Sequence, residues 1–154
     1  MHIRLISIGK LKSGPEKDMV DDYVGRFNKA GPGIGLRSLK LIDLASGGGL
    51  QAEGERLLAA LPSGAKVVRL DEHGPQWSSM KLSSQIAKWR DDGMGQLCFV
   101  VGGAEGYSDA VRAACPETLA FGPQTWPHRL VKVMLTEQLY RAVSLQAGLP
   151  YHKA

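Results

Sequence analysis

Cysteine and aromatic side chains are scarce in this chain of 154 residues, which holds two cysteines and 6% Phe, Trp and Tyr. Cys98 and Cys115 form no CxxC pair, so neither a disulfide framework nor a dithiol redox motif is implied. Cys98 lies inside "QLCFVVGG", where it reads as a small core hydrophobe. His2, His73, His128 and His152 show no HxxxH or other ligand spacing, so no metal is expected. Nowhere do about 18 apolar residues run together, which argues against a membrane helix. The opening "MHIRLISIGKLK" is interrupted by Arg4 and Lys10 and is too short for a signal peptide, so a soluble cytoplasmic protein is expected. Phosphate-binding loops are missing as well. Ala104 breaks any G-x-G-x-x-G starting at Gly102, no GK[ST] occurs, and no G-x-S-x-G elbow is found.

With 44% hydrophobic and 22% charged residues, the composition is that of a folded globular chain, and the length fits one domain over residues 1–154. The net charge of +4 is concentrated at the ends. Arg4, Lys10, Lys12 and Lys17 face only Glu16 in the first stretch, and Arg129, Lys132, Arg141 and Lys153 face only Glu137 in the last. If the fold joins the ends, they form one basic surface suited to a polyanion; scattered solvated lysines fit the same residues.

Short apolar runs alternate with helical patterns five times. "IRLISIG", "LRSLKLIDLA", "AKVVRLD", "QLCFVVGG" and "TLAFG" read as strands. Between them, Met19, Val20, Tyr23, Val24 and Phe27 form one helical stripe, "LQAEGERLLAAL" runs to Pro62, and Leu82, Ile86 and Trp89 mark a third helix. "SDAVRAAC" is a short helix with Ser108 as its N-cap, and Pro127 suits the first turn of the last helix. Strands this apolar are covered on both faces, so the class is α/β with a mostly parallel sheet and helices on either side. Ligands of such sheets bind beyond the carboxyl ends of the strands, which directs attention to the loops after Leu70, Val101 and Phe121. The glycine pair at Gly102 reads either as a tight strand-to-helix turn or as a place where backbone approaches a nucleoside closely. The last helix is apolar on more than one face, through Leu130, Val131, Val133, Met134, Leu135, Leu139 and Val143, and must be buried on two sides. That surface exceeds what one small domain covers, so a homodimer is expected. His73 reads as a solvated loop histidine, and Glu137 four residues before Arg141 as a helix ion pair.

Taken together, "VVRLDEHG", "FVVGGAEG" and "TWPHRLVKVMLTEQLYRA" with the ending "GLPYHK" resemble the bacterial methyltransferase H family of the SPOUT superfamily, and the likeness spans the whole chain. It implies a single SPOUT methyltransferase domain with a C-terminal trefoil knot, and methylation of N3 of a pseudouridine in 23S ribosomal RNA (helix 69 loop) on the assembled ribosome or large subunit. S-adenosylmethionine is the implied cofactor. Its expected binding residues are Leu70, Gly102, Phe121, Gly122, Pro123, Gln124, Thr125 and Trp126. Where the family commonly has a serine-rich stretch before Pro-His, this chain reads "AFGPQTWPH", and Pro123 has no N–H to donate. The expected catalytic set is His152, Arg141, Tyr151, Glu137 and His128, with His152 favoured as proton acceptor and Arg141 with the tail supplying orientation and charge. From the residues alone, a non-catalytic RNA-binding α/β module or a nucleotide-dependent enzyme of another α/β family also fits.

Overall fold

A computed structural model describes residues 1–151. Five strands, β1 (His2–Ile8), β2 (Ser38–Leu44), β3 (Lys66–Leu70), β4 (Gln96–Val101) and β5 (Thr118–Leu119), form one sheet in the order β2-β1-β4-β3-β5, every pair parallel. The helices between them are α1 (Pro15–Ala30), α2 (Leu50–Ala60), α3 (Ser79–Asp91), α4 (Asp109–Ala114) and the long α5 (His128–Ala147). A short 3-10 turn at Gly31–Ile34, which the sequence reading did not anticipate, follows α1.

Strand side chains alternate between two cores, as a pleated strand with both faces covered requires. Leu97, Phe99 and Val101 of β4 join Phe27 of α1, Ile86 of α3 and Leu135 of α5 on one face. Cys98 and Val100 point the other way, to Leu57 of α2 and Val111 of α4. Cys98 is thus the core residue its context suggested, and burial lifts its thiol to about 11. Ser108 caps α4 by accepting the Val111 N–H. The first stripe is narrower than expected, because Met19 is 47% exposed while Val20 and Phe27 carry the contact.

Helix α5 packs between α1 and α3, and each fully buried leucine there, Leu135 and Leu139, contributes on the order of 2 kcal/mol. Its two-sided burial is therefore largely met inside one chain. The surplus assigned to a partner shrinks to a half-buried remainder such as Leu130 and Met134. Gly148, in the left-handed conformation at φ 69°, stops the helix.

The fold does bring the two ends together, yet it spends much of their charge. Lys132 is buried and donates to the Gly9 carbonyl (2.9 Å) and Asp43 (3.2 Å), Arg129 meets Glu16, Lys17 meets Asp21 and Arg141 meets Glu137. The expected basic surface is correspondingly reduced. The fifth strand is also shorter than "TLAFG" suggested. Beyond Leu119 only Ala120 bridges, to Gln76, and the chain turns away at Gly122 (φ 98°). No helix is long and apolar enough to cross a membrane among the described residues.

Candidate active site

The carboxyl ends of β3, β4 and β5 open into one cavity of about 370 Å³. Three segments wall it: 70–73 after β3, 101–107 after β4, and 119–126 after β5. Parallel strands all end on the same side of the sheet, so residues far apart in sequence share one pocket. Leu70, Gly102, Phe121, Gly122, Gln124, Thr125 and Trp126 all line it, and Pro123 alone of the expected cofactor residues does not.

Each wall is held by polar contacts. The turn 103–106 closes through Gly106 N–H to the Gly103 carbonyl (3.0 Å). A Cβ on Gly102 would lie 2.8 Å from the Gly106 carbonyl oxygen, so this glycine is required for close packing of the turn. The tight-turn reading of the glycine pair therefore holds, and the same turn forms one wall of the cavity. Buried Tyr107 shares its hydroxyl proton between the carbonyls of Leu70 (2.6 Å) and Val100 (2.9 Å), and burial pushes its phenol well above its ordinary range. In the third wall, Trp126 Nε1 donates to the Phe121 carbonyl (3.1 Å) and Thr125 donates to Glu72 (2.6 Å). These bonds fix the loop that carries Pro123 without requiring an N–H from it.

Sequence reasoning missed the charge network under this cavity. Arg69, 6% exposed, pairs with Asp71 at 2.5 Å and donates to the Cys115 carbonyl, while Arg112 approaches Asp71 at 3.4 Å. Burial raises the Asp71 carboxyl, but the His73 N–H and the two guanidinium groups outweigh it, so it titrates below the usual carboxylate range. The Arg69 guanidinium also lies 4.9 Å from the Tyr107 ring. The signal was available: Arg69 and Asp71 stand two apart and so share one side of the strand. His73 itself is 84% exposed in its side chain, a solvated loop histidine as expected.

The expected catalytic residues fall into two groups. His128, the first residue of α5, lines the cavity. Burial, then the neighbouring Lys132 ammonium, lower its pKa against a smaller opposing pull from Glu53, so the imidazole is neutral near pH 7. Glu137, Arg141 and Tyr151 gather elsewhere. Tyr151 donates to Glu137 (2.9 Å), Arg141 forks onto the same carboxylate, and its guanidinium lies 5.1 Å from the Tyr151 ring. Tyr23 and Tyr140 complete the cluster, at 6.5 and 4.8 Å between ring centroids. Along α5, His128 and Arg141 are about 20 Å apart, and Glu137, Arg141 and Tyr151 are not among the residues lining the cavity that His128 lines. His152 lies outside the described residues.

A family model described as "Predicted SPOUT methyltransferase" matches residues 1–152. A protein of Hyphomonas neptunium named ribosomal RNA large subunit methyltransferase H is 53% identical over 154 residues, covering all of both chains. One of the same name from Dinoroseobacter shibae is 43% identical and covers 99% of each. Among solved structures, a putative methylase family protein of Neisseria gonorrhoeae aligns over 99% of this chain and 88% of its own, at 12% identity and a TM-score of 0.48.

Proposed function

The chain belongs to the SPOUT methyltransferase family, and from that premise we propose that it transfers a methyl group from S-adenosylmethionine to N3 of a pseudouridine in 23S ribosomal RNA, in the helix 69 loop of the assembled ribosome or large subunit. The observation that carries this reading is full-length kinship, at 53% identity, with a protein named for methylating large-subunit ribosomal RNA. Its place of action is then the cytoplasm, with the ribosomes.

The residues present suit the cofactor. Leu70, Val101, Leu119 and Phe121 offer apolar walls, Gly102 and Gly103 let backbone approach, and Glu72 and Glu105 are carboxylates of the lining that would compensate a bound cation. This cofactor carries no pyrophosphate, in keeping with the missing G-x-G-x-x-G and GK[ST] motifs. When bound it supplies an electrophilic methyl on a positively charged sulfur.

The chain's own part is orientation and removal of a proton. N3 must lose its hydrogen for its lone pair to attack, and the position of half-buried His128 at the cavity supports a role for it as proton acceptor. Glu137 and Arg141 fix Tyr151, the last described residue before the tail. A homodimer would let the tail serve the cavity of the second copy, a reading supported by the separation of Arg141 from His128 along α5. The trefoil knot is expected from family membership; segment 120–127 lies against the connection after β3 through the Gln76–Ala120 bridge and the Thr125–Glu72 bond.

Two measurements test the reading: calorimetric titration with S-adenosylmethionine, and transfer of labelled methyl to large subunits with the modified base mapped. Binding at one site per chain and a single N3-methylated pseudouridine are expected. Absence of binding, or methylation of another base, refutes it.

A further inference from the structure

A second cavity, of about 250 Å³, adjoins the first and shares Gly103, Ala104, Glu105 and His128 with it. It lies beyond the ends of β1 and β4, the neighbours from which the connections run outward in opposite directions, which is where open parallel sheets bind ligands. Its outer wall is the loop of Gly47, Gly48 and Gly49, all at positive φ (101°, 82° and 90°). That loop is braced rather than loose. Arg56 donates to the carbonyls of Ala45 and Gly47, and the Gly47 N–H donates to Glu53 Oε2 at 2.9 Å.

Glu53 is the group that gives this cavity chemical character. One carboxylate oxygen is occupied by Gly47, while no hydrogen bond reaches Oε1 among the described residues. Oε1 lies against Gly103, where a Cβ would stand only 2.9 Å away, so the glycine makes room for the carboxylate beside the cofactor wall. A half-buried acceptor held in position and short of a partner selects ligands with an N–H to give.

We infer that this second cavity receives the target base, and that Glu53 recognises the N1–H by which a pseudouridine differs from a uridine. The inference rests on the methyl-transfer reading above. Pseudouridine is joined to ribose through carbon, so with the sugar and N3 in the same places, its N1–H stands where uridine has C5–H. The carboxylate gains a hydrogen bond with the first base and is left desolvated and unpaired with the second. His128 lines both cavities and so stands beside their junction, where N3 of the base would meet the cofactor methyl without an intervening group. Sites built around such an N–H reject the analogue lacking it by up to about 10⁴-fold.

The test compares kcat/KM on large subunits carrying pseudouridine or uridine at the target position, for the wild type, Glu53→Ala and Glu53→Gln. The wild type is expected to prefer pseudouridine at least about 100-fold. Glu53→Ala lowers that preference at least tenfold by slowing the pseudouridine reaction, and Glu53→Gln, whose amide oxygen still accepts and can keep the loop bond, lowers it less. Glu53 does not line the first cavity, so S-adenosylmethionine affinity stays within about twofold in both variants. Equal losses on both substrates, which a merely structural role would produce, overturn the inference, as does an unchanged preference in either soluble variant. A wild type that methylates both bases equally also overturns it while leaving the methyltransferase reading intact; a wild type that binds no cofactor refutes that reading itself.

Discussion

Gly102→Ala is the sharpest probe of the cavity, because the structure states what one added methyl group meets. The new Cβ would lie 2.8 Å from the Gly106 carbonyl oxygen and 3.0 Å from Tyr107 Cε1. Neither neighbour yields easily: the Gly106 N–H is bonded to the Gly103 carbonyl, and the Tyr107 hydroxyl to Leu70 and Val100. The φ angle of Gly102 is not positive, so the cost is steric and not conformational. Overpacking of this kind costs about 2 kcal/mol, or about 4–8 °C in Tm for a chain of this size. Where the turn moves to relieve the clash, the cavity wall moves with it, and cofactor affinity falls at least about tenfold, equivalent to 1.4 kcal/mol. Gly106→Ala is the control. Its Cβ meets nothing nearer than Arg112 at 4.0 Å, but its φ of +85° costs about 1 kcal/mol of backbone strain, so Tm drops slightly while affinity holds. Thermal unfolding followed by circular dichroism and calorimetric titration read both quantities. A Gly102→Ala protein with wild-type Tm and wild-type affinity would refute the argument.

Lys132→Met strands Asp43 with only Ser7 and Leu11 as donors and should cost about 2–4 kcal/mol in urea unfolding; a loss under about 1 kcal/mol would show the buried pair to be idle. Asp43 is raised by burial, but the Leu11 N–H, Lys132 and Ser7 outweigh this and depress it, as the contacts of Asp71 do there. Their contribution is therefore complete above the unfolded carboxylate value near 3.9 and is lost as pH falls through the lower folded values. Urea midpoints should hold from about pH 7 to 5 and drop below about 4, less steeply in Asp43→Asn; an equally steep drop there would exclude Asp43 as a source. Deleting Tyr151 to Ala154 should leave cofactor affinity nearly intact while methyl transfer collapses, and full activity in that truncation would show the tail dispensable. Sedimentation at micromolar concentration should give a dimer mass, against which a monomer would count directly.

Much of this site was legible in the sequence because it depends on topology, and topology follows from apolar runs and their order. The loops after Leu70, Val101 and Phe121 converge on one cavity since parallel strands must all end on the same side. What stayed hidden was pairing. Lys132 looked like part of a basic rim, yet in α5 it faces inward to Gly9 and Asp43, because the helix packs between α1 and α3 and has little solvent-facing surface. Arg69 and Asp71 looked like ordinary residues of one strand, although their spacing carried the clue. Helix length likewise decides what one chain can do. The same α5 that places His128 at the cavity carries Arg141 about 20 Å away, and Tyr151 is anchored on Glu137 and Tyr23, outside the lining of that cavity. A rigid helix fixed on both flanks cannot shorten that distance, and the deletion and the sedimentation experiment therefore examine one requirement from two sides: if the tail matters to the reaction, a second copy has to stand within its reach.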